Sequence, residues 1–260
     1  MSYFVFDNQS SQKFGLVIGT IGAAGVQTFD TYSDVEVIKD RSARGFESYY
    51  YGRRLPDELT IPVEIVSESG RPYQRFEERA IQEWLFGRKE AKFFSIVDPE
   101  MGNVSYLCFL KRPRVIVHAG NIAGWAFDMV CSTPAAFTDL VETPYECVND
   151  ASRIQFHNLS DMDGYLFPEM SIQMLGNSTT LMIENLTDNN RRFHLTNLRQ
   201  GEQIYIDNKR QIMTSGSGAN IFQHFNLNWF RFGVGFNDML VTGRCILTFR
   251  NRFMKAIGGF

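Results

Sequence analysis

The chain has 260 residues, of which 44% are hydrophobic and 21% are charged, as in ordinary soluble globular proteins. Its net charge is −3, and no basic tail or basic face emerges, so the electrostatic pattern of a nucleic-acid-binding protein is missing. The length exceeds that of a usual single domain and predicts two domains, residues 1–140 and 141–260.

The cysteines and the amino terminus indicate a cytoplasmic protein. Cys108, Cys131, Cys147 and Cys245 form no Cys-x-x-Cys motif and are too sparse for a secreted disulfide scaffold. The start, MSYFVFDNQ, lacks the basic region and apolar block of a signal peptide. The most apolar run, FGLVIGTIGAAGV, is too short and too rich in glycine to cross a membrane. We therefore expect reduced thiols and no membrane insertion.

The first half reads mainly as strands. The segment LTIPVEI, residues 59–65, has an apolar residue at every second position, which is the period of a half-buried strand. Pro62 has no backbone N–H to donate to a neighbouring strand, so it indicates a strand edge or a bulge. Consecutive side chains of a strand point to opposite faces, so at least one tyrosine of the run YYY, residues 49–51, must face solvent or a partner.

One amphipathic helix is predicted over residues 72–86. Pro72 suits its first position, because the missing N–H would have no partner there. Six apolar residues recur at spacings of three and four and are expected to cover the sheet: Tyr73, Phe76, Ala80, Ile81, Trp84 and Leu85. On this interpretation Phe76→Asp would unfold the first domain, because it would bury an unpaired charge.

Residues 132–152 contain Pro134 and Pro144 and show no clear periodicity, so they are predicted to connect the two domains. Beyond them the sequence reads entirely as β-strand. The turn sequences GNS, TDNN, DNK and SGSG recur at the short spacing expected of an antiparallel β-sandwich.

No sequence feature predicts catalysis or a cofactor. The four histidines lack metal-ligand spacing, and neither a phosphate-binding loop nor a nucleophile motif is present. The segment HFNLNW, residues 224–229, partly resembles the sugar-binding strand of galectins. That likeness suggests a sugar contact through His224, Asn226 and Trp229, whereas the simpler interpretation is a strand whose Phe225 and Trp229 pack inward.

The order of these segments resembles the distal tail protein (Dit) family of long-tailed, siphovirus-type bacteriophages over nearly the whole chain. In the first half the resemblance lies in FGLVI, DRSARG, YYYGRR, TIPVEI, QEWLFG and FFSIVDPE. In the second half it lies in PEMSIQML, IENLTDNNRRFHL, GEQIYID and FGVGFNDMLVTGRCILTFRNRF.

The resemblance implies a mainly β protein. Its N-terminal domain would be β-sandwich-like with one helix, and its C-terminal domain would be a galectin-like antiparallel β-sandwich. It also implies a non-enzymatic role as a homohexameric ring at the virion tail tip, assembled in the cytoplasm of the infected bacterium. The ring would join the tail tube protein to the tail-tip hub or fibre protein and to receptor-binding baseplate proteins. DNA would pass through its lumen without specific binding.

Two segments expected at sheet edges are the predicted ring interface: Tyr49, Tyr50 and Tyr51 in one, and Thr60, Pro62 and Glu64 in the other. Sheet edges and clustered aromatics suit assembly, and the helix would keep the interface-forming sheet rigid. The alternatives are a carbohydrate-binding, lectin-like module and another tail tube or baseplate protein. A hydrolase would need an acid pair, which the sequence does not reveal.

Overall fold

The computed structural model describes residues 3–19, 36–41, 48–54, 59–98 and 102–255. By its internal contacts the chain divides into two units: a first unit, Met1–Thr138 with Lys255–Phe260, and a second unit, Asp139–Met254. The predicted class, mainly β with one helix in the first half, is confirmed.

Before the helix the strands are β1 (Tyr3–Phe6), β2 (Gln9–Ser10), β3 (Leu16–Ile18), β4 (Glu36–Arg41), β5 (Ser48–Arg54) and β6 (Leu59–Ser67). The helix is α1 (Arg75–Phe86). The following strands are β7 (Lys92–Asp98), β8 (Gly102–His118), β9 (Asn121–Cys131), β10 (Ala136–Phe137), β11 (Val141–Cys147), β12 (Ala151–Asn158) and β13 (Glu169–Met174). The last are β14 (Leu181–Asn185), β15 (Arg191–Leu195), β16 (Gln203–Asp207), β17 (Ile212–Ser215), β18 (Gly235–Thr242), β19 (Cys245–Asn251) and β20 (Met254–Lys255). Short 3-10 helices span Ser11–Phe14 and Phe222–His224.

One antiparallel sheet forms the frame of the first unit. Its main path runs β2–β1–β7–β8–β9–β6–β3, and β10 and β20 pair at its side. Although β1 and β3 lie near opposite ends of this path, they contact each other. The sheet therefore curves back on itself and encloses one core, to which the buried side of α1 contributes.

The helix begins three residues later than predicted, and an ion pair fixes its start. The Glu77 carboxylate accepts a hydrogen bond from the Gln74 N–H at 3.0 Å and pairs with the Arg71 guanidinium at 2.8 Å. Both partners hold the pKa of Glu77 below its ordinary value, with Arg71 making the larger contribution. Pro72 thus precedes the helix and does not occupy its first turn.

The prediction of which helix residues face the core is partly wrong. Ile81, Trp84 and Leu85 are buried, but Phe76 is 68% exposed and Ala80 is also exposed. Successive helical residues turn by about 100°, so Phe76, five residues before Ile81, points about 140° away from it. The expectation that Phe76 faces the core is therefore corrected.

We now expect Phe76→Asp to be tolerated, because the new carboxylate would remain in water. Exposed substitutions of this kind change the free energy of unfolding by about 0.5 kcal/mol or less. Chemical denaturation of the variant beside the wild-type protein measures this directly. A loss of several kcal/mol would contradict the observed orientation of the helix.

The second unit is a two-sheet antiparallel sandwich. One sheet has the order β11–β19–β13–β16–β17 and the other β12–β18–β14–β15. Every second side chain of β19 is buried, which gives the burial period of two expected of a strand with one face on a core. Between the sheets Phe156 stacks on Phe232 with ring centroids 4.1 Å apart. The predicted antiparallel sandwich is confirmed.

Part of the predicted connector is a strand. Residues 141–147 form β11, which pairs with β19 along its whole length. Pro144 is tolerated there because, among the described strands, β11 has a neighbour on one side only and so lies at the edge of its sheet. The segment therefore belongs to the second sandwich and is not a free linker.

Candidate assembly surface

Among the described residues, strands β4 and β5 pair only with each other, and we call this two-stranded antiparallel sheet the tyrosine hairpin (Glu36–Arg41 with Ser48–Arg54). The pairing shifts by one residue between Ile38 and Lys39, and Gly52 opposite Ile38 has a φ of +127°, which only glycine adopts readily. An isolated two-stranded sheet is marginally stable in water, so this element needs a surface to pack against.

The tyrosine hairpin exposes large apolar side chains on both faces. Tyr49, Tyr50 and Tyr51 are 58%, 71% and 68% exposed, and on the partner strand Val37 and Ile38 are 50% and 45% exposed. Adjacent strand residues face opposite ways, so Tyr49 and Tyr50 present aromatic rings on two different faces. Such concentrated aromatic surface is typical of a protein–protein contact, where tyrosine buries much area with few rotatable bonds.

The outer side of β6 is the second candidate surface. β9 pairs with β6 from Leu59 to Val66, whereas β3 reaches its other side only at residues 65–67. The Glu64 carbonyl accepts a hydrogen bond from the Gly19 N–H at 3.1 Å, so the backbone groups of Glu64 face the β3 side. The direction of the backbone groups alternates from residue to residue along a strand. The backbone groups of Thr60 and Pro62 therefore face the β3 side, as those of Glu64 do.

No described residue pairs with Thr60 or Pro62 on that side of β6. Pro62 fits there because its missing N–H costs no hydrogen bond with β9. The side chains of Thr60, Pro62 and Glu64 are exposed. Those of Val63 and Ile65, on the opposite face of the strand, are buried. Among the described residues, the backbone groups of Thr60 and the Pro62 carbonyl therefore remain available on this side, where a further strand could pair.

Helix α1 supports the sheet that carries this edge. Trp84 is buried against β1, and its Nε1–H donates to the Phe6 carbonyl at 3.0 Å. The Tyr73 hydroxyl, just before the helix, donates to the Phe14 carbonyl at 3.1 Å. Val63 and Ile65 of β6 belong to the same core as Trp84.

The sugar-contact residues suggested by the sequence do not form a common polar surface. Residues 222–224 form a 3-10 helix followed by a loop, so the predicted strand at residues 224–229 is wrong. Trp229 is only 9% exposed and packs edge-on against Phe225, as the simpler interpretation expected. The Asn226 amide is bound to backbone, accepting from the His194 N–H and donating to the Arg192 carbonyl. His224 contacts the Asn197 amide at 3.1 Å.

An uncharged groove lies instead on the outer face of the five-stranded sheet. It encloses about 420 Å³ and is lined by hydroxyl, amide and aliphatic groups without a charged side chain. Its polar side chains include Ser171, Gln173, Gln203, Tyr205, Thr214 and Thr248. Register places Tyr205 opposite both Ser171 and Thr214, so these groups form one continuous row. Sequence reasoning missed this site, because the row comes from strands far apart in the chain.

Within the described part of the chain, no three His, Cys, Asp or Glu side chains are grouped closely enough to hold a metal ion. Across the same residues, no helix has the length and apolar character needed to span a membrane.

Both halves of the sequence match families of phage tail domains. Residues 1–133 match a family described as phage tail protein N-terminal domain, and residues 136–251 match one described as phage tail C-terminal domain. The chain belongs to the phage tail protein family. A search among curated proteins finds no match for this tail protein.

The tail protein also resembles solved phage structures. The Dit protein of phage SPP1, described as a paradigm of the hub adsorption apparatus in phages that infect Gram-positive bacteria, is 12% identical. That comparison has a TM-score of 0.68 and covers 97% of this chain and 99% of that one. A chain of the activated phage P2 baseplate is 9% identical with a TM-score of 0.57, over 96% and 98% of the two chains. The predicted resemblance to the distal tail family is thus confirmed, and the tail protein has a Dit-like fold.

Proposed function

We propose that this tail protein forms a homohexameric ring at the tail tip of a long-tailed phage. The ring joins the tail tube protein to the tail-tip hub or fibre protein and carries receptor-binding baseplate proteins. Family membership places the protein in a phage tail, and the Dit-like fold over nearly the whole chain supports the hub position. It assembles in the cytoplasm of the infected bacterium and acts as part of the virion.

The exposed tyrosine hairpin carries this proposal. A closed ring needs two different complementary patches on each copy, so that each contact repeats by rotation until the last copy meets the first. The tyrosine hairpin supplies one patch, centred on Tyr49, Tyr50 and Tyr51. The outer side of β6 supplies the other: an added strand would satisfy backbone groups at Thr60 and Pro62, next to the exposed side chain of Glu64.

The two units have different tasks in this arrangement. We assign ring formation to residues 1–140 and attachment of other baseplate proteins to residues 141–260. The net negative charge of the chain lies in the first of these parts, which suits a lumen through which DNA moves without adhering. The role is structural, and no side chain is assigned to catalysis or to a cofactor.

Native mass spectrometry of the purified protein at low micromolar concentration tests the ring. We expect an assembly of six copies that persists on moderate dilution, because interfaces that must hold mechanically bury more than about 2,000 Å². Immunogold labelling of virions should place the protein at the junction below the tail tube. A strict monomer together with virions that lack label at this junction would refute the proposal.

The uncharged groove supports a second candidate function, carbohydrate binding by the second unit. Hydroxyl and amide side chains beside Tyr205 suit a neutral polyol, which offers hydroxyls and an apolar ring face. A ligand that binds only the folded state raises its stability, so cell-wall oligosaccharides should raise the melting temperature in a saturable way. Gln173→Ala should remove that rise if the groove is the site, whereas Asn226→Ala should remove it if the loop suggested by the sequence is.

A further inference from the structure

The four cysteines, scattered in sequence, meet as two cross-strand pairs. Cys108 in β8 lies directly opposite Cys131 in β9. In the second unit Cys147 in β11 lies directly opposite Cys245 in β19. All four are buried free thiols. Directly opposed residues in antiparallel strands have Cα atoms about 4.5–5.5 Å apart, within the separation of about 4.4–6.8 Å that a disulfide spans.

We propose that Cys147 and Cys245 are a redox modification site, which a small-molecule disulfide oxidises to a reversible cross-link after the protein leaves the reducing cell. The Cys108–Cys131 pair stays reduced under the same conditions. The change of environment rests on the proposed role as a virion component, since virions are released from a reducing cytoplasm into oxidising surroundings.

The two pairs differ in the position of Cys147. Its partner Cys245 lies between β11 and β13, just as each first-unit cysteine lies between two strands. In the part of the chain that the structure describes, β11 bonds only to β19, so its end can open without breaking a second ladder. Cys147 is the last residue of β11, and Val148 after it is half exposed. Cys108 is instead held between β7 and β9, opposite Lys92 as well as Cys131. Cys131 is held between β6 and β8, opposite Leu59 on one side.

The acidity of the thiols also favours Cys147 as the cysteine that reacts first. The thiolate is the attacking form in disulfide exchange. A hydrogen bond from the Cys245 thiol lowers the pKa of Cys147, with a smaller contribution from Ser152, against the opposing effect of burial. Burial raises the pKa of both Cys108 and Cys131, which disfavours their thiolates.

The exchange proceeds in two balanced steps with oxidised glutathione as the oxidant. The Cys147 thiolate attacks one sulfur of glutathione disulfide, which forms a mixed disulfide and releases one glutathione thiolate. Cys245 then loses its proton and attacks the Cys147 sulfur, which forms the Cys147–Cys245 bond and releases the second glutathione thiolate. Two protein thiols are oxidised, one glutathione disulfide is reduced, and the two protons end on the two released glutathiones.

The cross-link would fasten an early strand of the sandwich to its last long strand. β11 begins the second unit and β19 lies near its end, so the closed loop contains almost the entire unit. A loop of this length removes much conformational freedom from the unfolded chain. The oxidised second unit should therefore unfold at a higher temperature than the reduced one, and added reductant should reverse the shift.

Peptide mapping of the full-length protein tests the site without any substitution. The protein is purified with reductant, exchanged into buffer containing oxidised glutathione, alkylated, digested without reduction and analysed by mass spectrometry. We expect a linked peptide pair containing Cys147 and Cys245, and recovery of Cys108 and Cys131 as alkylated thiols after unfolding. Four reduced cysteines, or a link that joins Cys108 to Cys131 first, would overturn the inference.

Matched variants isolate the effect on stability. Cys147→Ser should abolish the redox-dependent rise in melting temperature, whereas Cys108→Ser should retain it. If Cys147→Ser unfolds, the peptide map of the unsubstituted protein still shows whether the Cys147–Cys245 link forms. Native mass spectrometry of the same samples keeps the two proposals distinct: a ring without the link refutes only this site, whereas a linked monomer supports this site and counts only against the ring.

Discussion

Tyr50→Asp should break the ring and leave the monomer folded. Tyr50 is 71% exposed at the centre of the tyrosine hairpin, so a carboxylate there remains hydrated in the free monomer and costs about 1 kcal/mol or less. In the assembled ring the same carboxylate would be buried without a partner in place of an aromatic contact. Central aromatic contacts often contribute 2 kcal/mol or more, so we expect the subunit dissociation constant to rise by at least about tenfold.

Sedimentation velocity over a dilution series measures this effect, and circular dichroism verifies the fold. Phe76→Asp is the matched control, because it makes the same change at a similarly exposed aromatic residue outside the tyrosine hairpin. Tyr50→Phe should keep most of the contact area and therefore the ring. An assembly of Tyr50→Asp that resists dilution as well as the wild-type assembly would remove the tyrosine hairpin from the interface.

Trp84→Ala should destabilise the first unit by about 3–5 kcal/mol, the usual cost of truncating a large buried aromatic. The Trp84 ring is 4% exposed and stacks on Phe4 at 5.7 Å, so its removal leaves a cavity at the centre of the core. The Phe6 carbonyl also loses its 3.0 Å hydrogen bond from the indole. Because α1 would no longer hold β1, we expect the ring to be lost as well.

Denaturant unfolding followed by hydrogen exchange would locate this loss in the first unit. Trp84→Phe keeps most of the apolar contact and loses the hydrogen bond, so it should cost closer to 1 kcal/mol from that bond alone, plus a smaller packing loss. Equal damage from both substitutions would mean that the hydrogen bond, and not the packing, holds the helix. Undiminished stability of Trp84→Ala would contradict the observed core.

Local periodicity was enough to predict the helix and most strands. Ile81, Trp84 and Leu85 recur at helical spacing and are buried as expected, and β6 alternates as its sequence predicts. The error at Phe76 came from grouping by spacing alone, since a residue five positions from the centre of a stripe lies off its face. The error at β11 arose because Pro144 and outward polar residues concealed an edge strand.

Register over long separations could not be predicted. Cys147 lies opposite Cys245 although more than ninety residues separate them in the chain. Their alignment depends on every turn and strand pairing in between. The uncharged groove has the same origin, because β13, β16, β17 and β19 each supply part of it. For the tyrosine run, alternation alone required one exposed ring, whereas the structure exposes all three.

The pairing of β11 with β19 also has a consequence for how such proteins diversify. Val141 stands opposite Asn251, so the chain enters and leaves the second sandwich at adjacent points. A module whose two ends meet in this way can be exchanged for an unrelated one, or enlarged by an insertion, without straining the polypeptide on either side. If the second unit attaches other baseplate proteins as proposed, variation in those partners can accumulate in residues 141–251, while residues 1–140 change under separate selection.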